Sequence, residues 1–396
     1  MPDVSRREAL RLGAVGLAGL VATRVLAGCG QSQDTSARTL SGADSASSVP
    51  PVAALARFDS SRPAGPRTGL PRRVAWANTS DTEIFVALGK GIEAAASDRG
   101  MEYLTAVAAN DQAKNIDQME TFLARGVGGL AVQPLDQAAQ QPVLQRALAK
   151  GVCVQGIITH PSTLQIAASQ YRIGYMQGKA AADYATAYLG GRADVHYFNQ
   201  DRLSPQLRLR HRSVLDGLKT GGDRVKVVSD LSANESDGSI EGGFALMQTV
   251  MQTHPDIKII LGSDTLVTGA YRALEQAGKL TDDMYLSGVD GDSNALALVK
   301  QGGPYRASLA FAWQLMGYGM GQFASDWVDG KEIPRIMVAK SILLDSRARV
   351  NTYLAANADP ARVFADRKRY ERYLPLLGNV SYATRHTVWQ QEYVAR

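Results

Sequence analysis

The feature that most constrains this chain is a change of hydrophobic period within residues 73–88. A short apolar run typical of a buried strand comes first, the polar loop 78–83 follows, and Ile84, Phe85 and Leu88 then recur at helical spacing. Strand, loop and helix in this order begin a doubly wound α/β domain, where ligands bind beyond the carboxyl ends of the strands. The loop carries hydroxyl, amide and carboxylate groups but no glycine-rich run for a phosphate, so we expect it to suit a hydroxylated solute.

The same alternation continues along the chain. The sequence predicts strands at 73–78, 129–132, 152–158, 194–198, 224–228, 257–262, 284–289 and 307–311. It predicts helices at 84–98, 113–125, 138–150, 174–189, 205–219, 240–252, 267–278 and 294–300. Short strands alternating with helices favour parallel sheets, and eight strands over about 240 residues favour two of them.

Charge and cysteine content exclude several classes of protein. The 396 residues carry a net charge of +5, but the excess is not concentrated in one patch, so the sequence gives no reason to expect a nucleic-acid partner. Of the two cysteines, Cys153 lies in an apolar run and is interpreted as a core residue. The other, Cys29, belongs to a processing motif, so no internal disulfide is expected.

The N-terminal region has the pattern of an export signal. Residues 5–11 resemble a twin-arginine motif, and Leu26-Ala27-Gly28-Cys29 matches the bacterial lipobox, in which cleavage before the cysteine leaves it to be lipidated. The alternative is a chance cysteine after an uncleaved anchor. We predict an export signal at 1–28, a flexible tether at 29–72 and lipid attachment at Cys29, which places the protein at the cell envelope, in the periplasm or on the outer face of the cytoplasmic membrane.

Several short motifs accompany the predicted strand and helix units. They include Arg-Gly-Val-Gly-Gly-Leu-Ala-Val-Gln-Pro at 125–134, Gly-Lys-Ala-Ala-Ala-Asp-Tyr at 178–184, Gly-Ala-Tyr-Arg-Ala-Leu at 269–274 and Ser-Gly-Val-Asp-Gly at 287–291. With them, residues 73–344 resemble type I periplasmic solute-binding proteins of sugar ABC transporters, close to ribose-binding proteins. The resemblance implies an α/β fold with two doubly wound parallel-sheet lobes. Three crossovers, near 169–171, 311–313 and 336–339, would form a hinge that closes on the ligand.

The resemblance also implies domain boundaries. The N-terminal lobe would comprise 73–170 plus 312–336, the C-terminal lobe 171–311 plus 337–345, and a helical extension 346–396 would follow. The extension would consist of helices packed against a lobe, or of a docking surface for a membrane partner.

Ligand-binding residues are carried over from the family by position. The resemblance assigns the first-lobe contact to Thr82 with Asp81 beside it, an aromatic contact to Phe85, and second-lobe contacts to Arg210, Ser263 and Asp290. Carboxylates accept pairs of hydroxyl protons, arginine donates in a fixed fork, and aromatic faces cover the C–H side of a sugar ring. Other interpretations stay open: Asp290 as a helix cap, Arg210 as a solvated helix residue and Phe85 as a core residue.

The chain departs from the sugar binders at several pocket positions. An Asp-Arg pair common after the third strand is replaced by Ile158-Thr159, followed by His160. Phe311 stands where ribose binders have a glutamine, with Trp313 close by. We therefore add His160, Phe311 and Trp313 to the expected contacts, and the ligand could be a smaller polyol, a deoxy or methylated sugar, or a different solute.

The sequence thus predicts a lipoprotein that binds a small sugar or polyol and delivers it to the membrane permease of an ABC importer. It would need no cofactor and no metal, and it would not be an enzyme. One alternative is a ligand sensor of the same fold that signals to a membrane receptor. A different class, an exported hydrolase, would require Ser293 in Gly291-Asp292-Ser293 to act with a histidine that the sequence does not identify.

Overall fold

The computed structural model describes residues 56–59, 69–157, 161–202, 205–230, 232–233 and 238–379, all within the unit Asp44–Arg396. Its strands are β1 (Ala56–Arg57), β2 (Arg73–Asn78), β3 (Glu102–Val107), β4 (Gly129–Val132), β5 (Cys153–Ile157), β6 (Leu164–Ala167), β7 (Ala193–Tyr197), β8 (Val225–Ser229), β9 (Ile259–Leu261), β10 (Tyr285–Asp290), β11 (Tyr305–Ala310), β12 (Ile336–Val338), β13 (Ile342–Leu344) and β14 (Leu376–Asn379). Its helices are α1 (Glu83–Asp98), α2 (Gln112–Arg125), α3 (Gln137–Ala149), α4 (Gln170–Tyr188), α5 (Pro205–Leu218), α6 (Ile240–Thr253), α7 (Asp264–Gln276), α8 (Ser293–Gln301), α9 (Trp313–Val328), α10 (Arg347–Ala358), α11 (Pro360–Ala365) and α12 (Arg367–Tyr373). In this part of the chain no helix combines the length and the apolar character that a membrane-spanning helix needs.

The first lobe is built on an eight-stranded sheet in the order β1-β14-β12-β6-β5-β4-β2-β3. The six strands from β12 to β3 are parallel, whereas β14 pairs antiparallel with β12, and β1 pairs antiparallel with β14 at the edge. The central strands are apolar runs with every residue of β4, β5 and β6 buried. Burial on both faces is what a parallel sheet covered by helices requires.

The second lobe is built on a six-stranded sheet in the order β13-β11-β10-β9-β7-β8. Here β8, β7, β9, β10 and β11 are parallel, and β13 pairs antiparallel with β11. In the first lobe, the loops that follow β2 and β4 lie at the carboxyl ends of the parallel strands. In the second lobe, the loops that follow β7, β9 and β10 do so.

Helix α9 packs directly on α1 in the first lobe. The approach is so close that a side chain at Gly91 would meet the backbone of Gln314 and Tyr318, and one at Gly317 would meet the backbone of Leu88. Glycine at these two positions lets the helix backbones touch, which fixes the first turns of both helices beside the loop that follows β2.

Three connections join the lobes, as the family resemblance implied, although the third lies a few residues later than the expected 336–339. The chain passes from β6 to α4 through residues 168–169, from β11 to α9 through 311–312, and from β12 to β13 through 339–341. At the first of these, the Ser169 hydroxyl accepts from the backbone N–H of Arg172 (3.2 Å) and starts α4. The predicted fold class, two doubly wound lobes with a three-crossover hinge, is confirmed.

The strand assignment differs from the expectation at several places. All eight predicted strands exist, but β3, β6, β12 and β13 were not predicted. In β3 exposed residues interrupt the apolar pattern, and β6, β12 and β13 are only three or four residues long. Residues 337 and 338, expected in the second lobe, pair with β6 in the first-lobe sheet as part of β12.

The C-terminal segment forms three helices and a strand. Ser346, Asp359 and Asp366 begin α10, α11 and α12, and each side chain accepts from a backbone N–H three residues later (3.4, 3.1 and 3.1 Å). The helices were predicted, but β14 was not. This strand pairs with β12 on one side and β1 on the other, so residues 56–57, expected in the tether, also belong to the first-lobe sheet.

Candidate functional site

The loop after β2 forms the first-lobe wall of the cleft. Asn78, Thr79 and Ser80 are buried, and the Asn78 Oδ1 accepts from the backbone N–H of Ser80 (3.2 Å). The Gln133 amide, at the end of β4, donates to the Thr79 hydroxyl. Uncharged hydrogen bonds thus hold this loop in place, and Asp81, the next residue, is exposed.

Thr82 follows directly and begins α1. Its carbonyl accepts from the backbone N–H groups of Phe85 and Val86 (both 3.0 Å), and its hydroxyl lies 3.2 Å from that of Ser80. The Thr82 side chain makes no capping bond to the helix, and the residue is exposed. Its hydroxyl therefore contacts Ser80 and is not used to cap the helix.

Three aromatic residues meet at the hinge. The rings of Phe85 and Trp313 lie edge to face with centroids 6.4 Å apart, and Phe311 and Trp313 lie 5.2 Å apart in the same manner. Phe311 is buried, whereas Phe85 and Trp313 are partly exposed. Trp313 also donates its indole N–H to the Asp290 carbonyl (2.8 Å), which connects the hinge to the second lobe.

Asp290 ends β10 in a conformation unusual for a residue with a side chain. Its φ is +120°, and strain of this kind costs roughly 1–3 kcal/mol and is concentrated at functional sites. The pKa of its carboxyl is raised to about 7, chiefly by burial; the Arg210 charge acts to lower it and the Asp264 charge to raise it. Arg210 itself donates through Nε to the Gln170 side chain (2.9 Å), so helix α4 orients the arginine near Asp290.

Asp264 stabilises the loop that follows Asp290. It is fully buried at the start of α7, next to Ser263, and accepts from the Tyr305 hydroxyl (2.8 Å) and the Ser308 hydroxyl (2.6 Å). It also accepts from the backbone N–H groups of Gly291 (2.7 Å) and Asp292 (3.0 Å). Burial raises the pKa of Asp264, although all four donors lower it.

Asp292 and Glu83 extend this acidic wall to the mouth of the cleft. The pKa of Asp292 is raised to about 8, chiefly by burial and in addition by the charges of Asp290, Asp264 and Glu83. Glu83 belongs to the first lobe, yet its Oε2 accepts from the backbone N–H (3.1 Å) and the hydroxyl (2.8 Å) of Ser293. The two lobes therefore touch across the cleft at the start of α8.

The structure brings most of the expected ligand residues to one cleft. Phe85, Arg210, Asp290, Phe311 and Trp313 converge at the hinge, while Asp81, Thr82 and Ser263 lie at the ends of strands that border it. Two expected residues, His160 and the lipidation residue Cys29, lie outside the described residues.

Sequence reasoning missed other groups at the same place. Asp264 was not among the expected ligand contacts, and the interlobe contact of Glu83 was not predicted. The signal for Asp264 is its position directly after a buried strand; the Glu83 contact joins residues 210 positions apart and has no local signature.

The arrangement is suited to binding rather than to catalysis. Carboxyl groups, an arginine and aromatic rings meet near the hinge, a combination that recognises hydroxyl groups and an apolar ring face. The Ser293 hydroxyl, the nucleophile of the hydrolase hypothesis, donates to Glu83 instead of a histidine. Among the described residues, no group of three or more acidic, histidine or cysteine side chains is arranged to hold a metal ion.

A family model agrees with this architecture. The model for the periplasmic binding protein domain matches residues 74–332, more than half of the chain.

Characterised relatives match over most of the same region. The ribose import binding protein of Bacillus subtilis is 28% identical over 264 residues, which covers 66% of this chain and 83% of the relative. The D-apiose import binding protein of Paraburkholderia graminis is 27% identical over 223 residues, covering 54% and 67%.

Solved structures support the fold. An ABC transporter solute-binding protein of Mycobacterium smegmatis with bound glycerol has a TM-score of 0.62 at 21% identity, over 72% of this chain and 96% of that one. A solute-binding protein of Bacillus halodurans with bound myo-inositol has a TM-score of 0.63 at 18% identity, over 74% and 99%.

Proposed function

We propose a function from one premise: the chain belongs to the family of periplasmic binding protein domains, as a solute-binding protein and not an enzyme. The proposal is that it captures a small sugar or polyol between its two lobes by hinge closure. It then delivers this solute to the membrane permease of an ABC importer.

The observation that carries the proposal is that a buried carboxyl group meets the aromatic residues of the hinge. The Trp313 indole N–H donates to the Asp290 carbonyl (2.8 Å), the Trp313 ring lies edge to face with Phe85, and the charge of Arg210 acts on the Asp290 carboxyl. Asp290 would accept hydrogen bonds from neighbouring hydroxyls, and Arg210 would donate hydrogen bonds to a hydroxyl or ring oxygen. Phe85 and Trp313 would cover the C–H face. Further contacts are proposed for Asp81, Thr82, His160, Ser263 and Phe311.

The relatives indicate which solutes to try. Their names state ribose, D-apiose, D-allose and myo-inositol, which are all small and rich in hydroxyl groups. Wherever the carboxyl groups of Asp290 and Asp292 are ionised they repel an anionic solute such as a sugar phosphate, so neutral sugars and polyols are the first solutes to try.

Export and membrane attachment complete the proposal. The lipobox at 26–29 supports cleavage before Cys29 and lipidation of that residue, which would hold the binding protein at the membrane beside its permease. Mass spectrometry of the membrane fraction tests this: a Cys29→Ser variant should lose the diacylglycerol-modified N-terminal peptide and remain unprocessed.

A thermal-shift screen tests the solute class. The chain without residues 1–29 keeps the whole unit Asp44–Arg396 and would be heated with ribose, apiose, allose, myo-inositol, glycerol and, as a different class, amino acids. A bound ligand at about 100 times its Kd adds roughly 2.7 kcal/mol to the stability of the folded state. A higher melting temperature with a sugar or polyol is expected, and a shift with amino acids alone would overturn the proposed class.

A further inference from the structure

The C-terminal segment crosses from one lobe to the other. Residues 346–379, here called the strap, leave the second-lobe strand β13 and end in β14, which pairs with β12 in the first-lobe sheet. The segment is therefore a fourth covalent connection between the lobes, in addition to the three crossovers of the hinge. An extension packed on a single lobe would not have this path.

The strap is anchored in the cores of both lobes. Val350 and Tyr353 of α10 belong to the same apolar cluster as Leu344 and Ala310 of the second lobe. In contrast, Ala356, one turn further along α10, is buried in a cluster with Phe323 of the first-lobe helix α9. A single rigid helix therefore makes buried contacts on each side of the hinge.

The far end of the strap is fixed to the first lobe. Val363 of α11 is buried, and the neighbouring Phe364 ring lies edge to face with Tyr318 and Phe323 of α9, at centroid distances of 5.6 and 5.7 Å. The backbone pairing of β14 with β12 follows. Buried apolar contacts and sheet hydrogen bonds make this end a firm attachment.

Tyr353 connects the strap to the hinge itself. Its hydroxyl donates to the carbonyl of Phe311 (2.6 Å), which lies in the crossover between β11 and α9. A side-chain carbon at Gly291, in the loop beside Asp290, would lie 3.3 Å from the same hydroxyl. One tyrosine therefore contacts both a residue that must change conformation when the lobes open and the loop that carries the ligand carboxylate.

We propose that the strap restricts opening of the cleft and that Tyr353 is the positioning residue through which it acts on the hinge. Hinge opening requires the crossover residues to change their backbone dihedrals. With a helix buried against both lobes, opening must break one set of its contacts. The closed arrangement is therefore favoured before a ligand binds. The consequence for affinity rests on the proposed function, because a larger closed population lowers the apparent Kd in proportion.

Cleaving the strap tests whether it restricts opening of the cleft. A protease site inserted between Ala358 and Asp359, both exposed at the junction of α10 and α11, allows the connection to be severed while each half stays docked. Spin labels at exposed positions of the two lobes, Asp117→Cys and Lys226→Cys, report the interlobe distance in ligand-free protein. We expect cleavage to increase the open population at least about threefold.

The control is the same site inserted between Gly190 and Gly191, a turn after α4 within the second lobe. Cleavage there should leave the interlobe distances unchanged. Cleavage at 358–359 removes the covalent connection but leaves the contacts of α10 in place, and Tyr353→Phe weakens those contacts. Unchanged distances both after complete cleavage and in Tyr353→Phe would overturn the restriction. Because no ligand is present, a failure of the solute proposal would not affect this result.

Two tyrosine variants test the positioning role of Tyr353. Tyr353→Phe keeps the ring but removes the donor to Phe311, and loss of one such bond corresponds to a roughly two- to tenfold larger open population. Tyr370→Phe is the matched control, since its buried hydroxyl lies 2.9 Å from the Met337 sulfur inside the first lobe alone. If Tyr353→Phe lowers only the melting temperature and leaves the distances unchanged, Tyr353 is structural and the positioning role is wrong.

Discussion

The two walls of the cleft are built from different chemistry. The first-lobe wall is held by uncharged groups, with the Gln133 amide on Thr79 and Asn78 on Ser80. The second-lobe wall is organised around the buried carboxylate of Asp264, with Asp290 and Asp292 close to it. Amide and hydroxyl bonds keep a loop in shape at every pH, whereas clustered carboxylates make the second wall sensitive to protons and to ligand charge.

The largest difference between the walls should be in stability. Asp264→Ala leaves the buried Tyr305 and Ser308 hydroxyls without their acceptor, and we expect the free energy of unfolding to fall by roughly 2–4 kcal/mol. Gln133→Ala removes one neutral bond and should lower it by roughly 1 kcal/mol. Urea unfolding measures both, with Asp264→Asn as the shape-conserving control. Equal losses in the two alanine variants would show that the walls do not differ in this way.

The second wall should also give the protein a pH-dependent stability. The usual pKa of 3.8 rises to about 7 at Asp290 and about 8 at Asp292, so the folded state keeps protons that the unfolded chain releases. The stability that these two groups contribute is complete below about pH 4 and is lost as the pH rises through 7 to 8. The melting temperature should therefore fall between pH 5 and pH 8.5.

The Asp292→Asn variant tests the source of this pH dependence, because it removes one carboxylate that makes no side-chain capping bond. The variant should be more stable than the wild type at pH 8.5, by about 1 kcal/mol after allowance for the partial exposure of the site, and indistinguishable from it near pH 4. Thermal unfolding across this pH range is the measurement. A variant that follows the wild-type pH profile would place the proton-sensitive group elsewhere.

The smallest expected effect concerns the contact between the walls. Glu83→Ala removes the acceptor for the N–H and hydroxyl of Ser293, and because the site is exposed the loss should be about 0.5–1 kcal/mol. The open population measured with spin labels would then increase roughly two- to fivefold. Glu93→Ala, an exposed glutamate further along α1, is the control and should leave the distances unchanged.

The fold was largely predictable from the sequence because its central strands are continuous apolar runs. Strand β4 and its neighbours are buried on both faces, and the hydrophobic pattern identifies them directly. Strand β14 could not be identified in this way. It has four residues, and its pairing partner β12 ends 38 positions earlier in the chain, so the contact depends on the path of the strap and not on local pattern.

The site was predictable only where a family resemblance supplied it. Asp290, Arg210 and Phe85 were assigned from the positions that sugar binders use, and the structure brings them to one cleft. No pattern pointed to Glu83 or Tyr353, whose partners lie 210 and 42 positions away. Contacts that depend on how two lobes meet are set by tertiary packing and leave no spacing signal.

The most direct test of the central claim is the Kd for whichever sugar or polyol raises the melting temperature. Titration calorimetry would compare Asp290→Ala and Arg210→Ala with surface variants of the same residue types, Asp183→Ala and Arg146→Ala. A charge-assisted hydrogen bond is worth roughly 1.5–3 kcal/mol, so each cleft variant should weaken binding by about 10- to 100-fold. The surface variants should bind as the wild type does. Unchanged affinity in both cleft variants would contradict the claim that the solute is held between the lobes by the second-lobe charges.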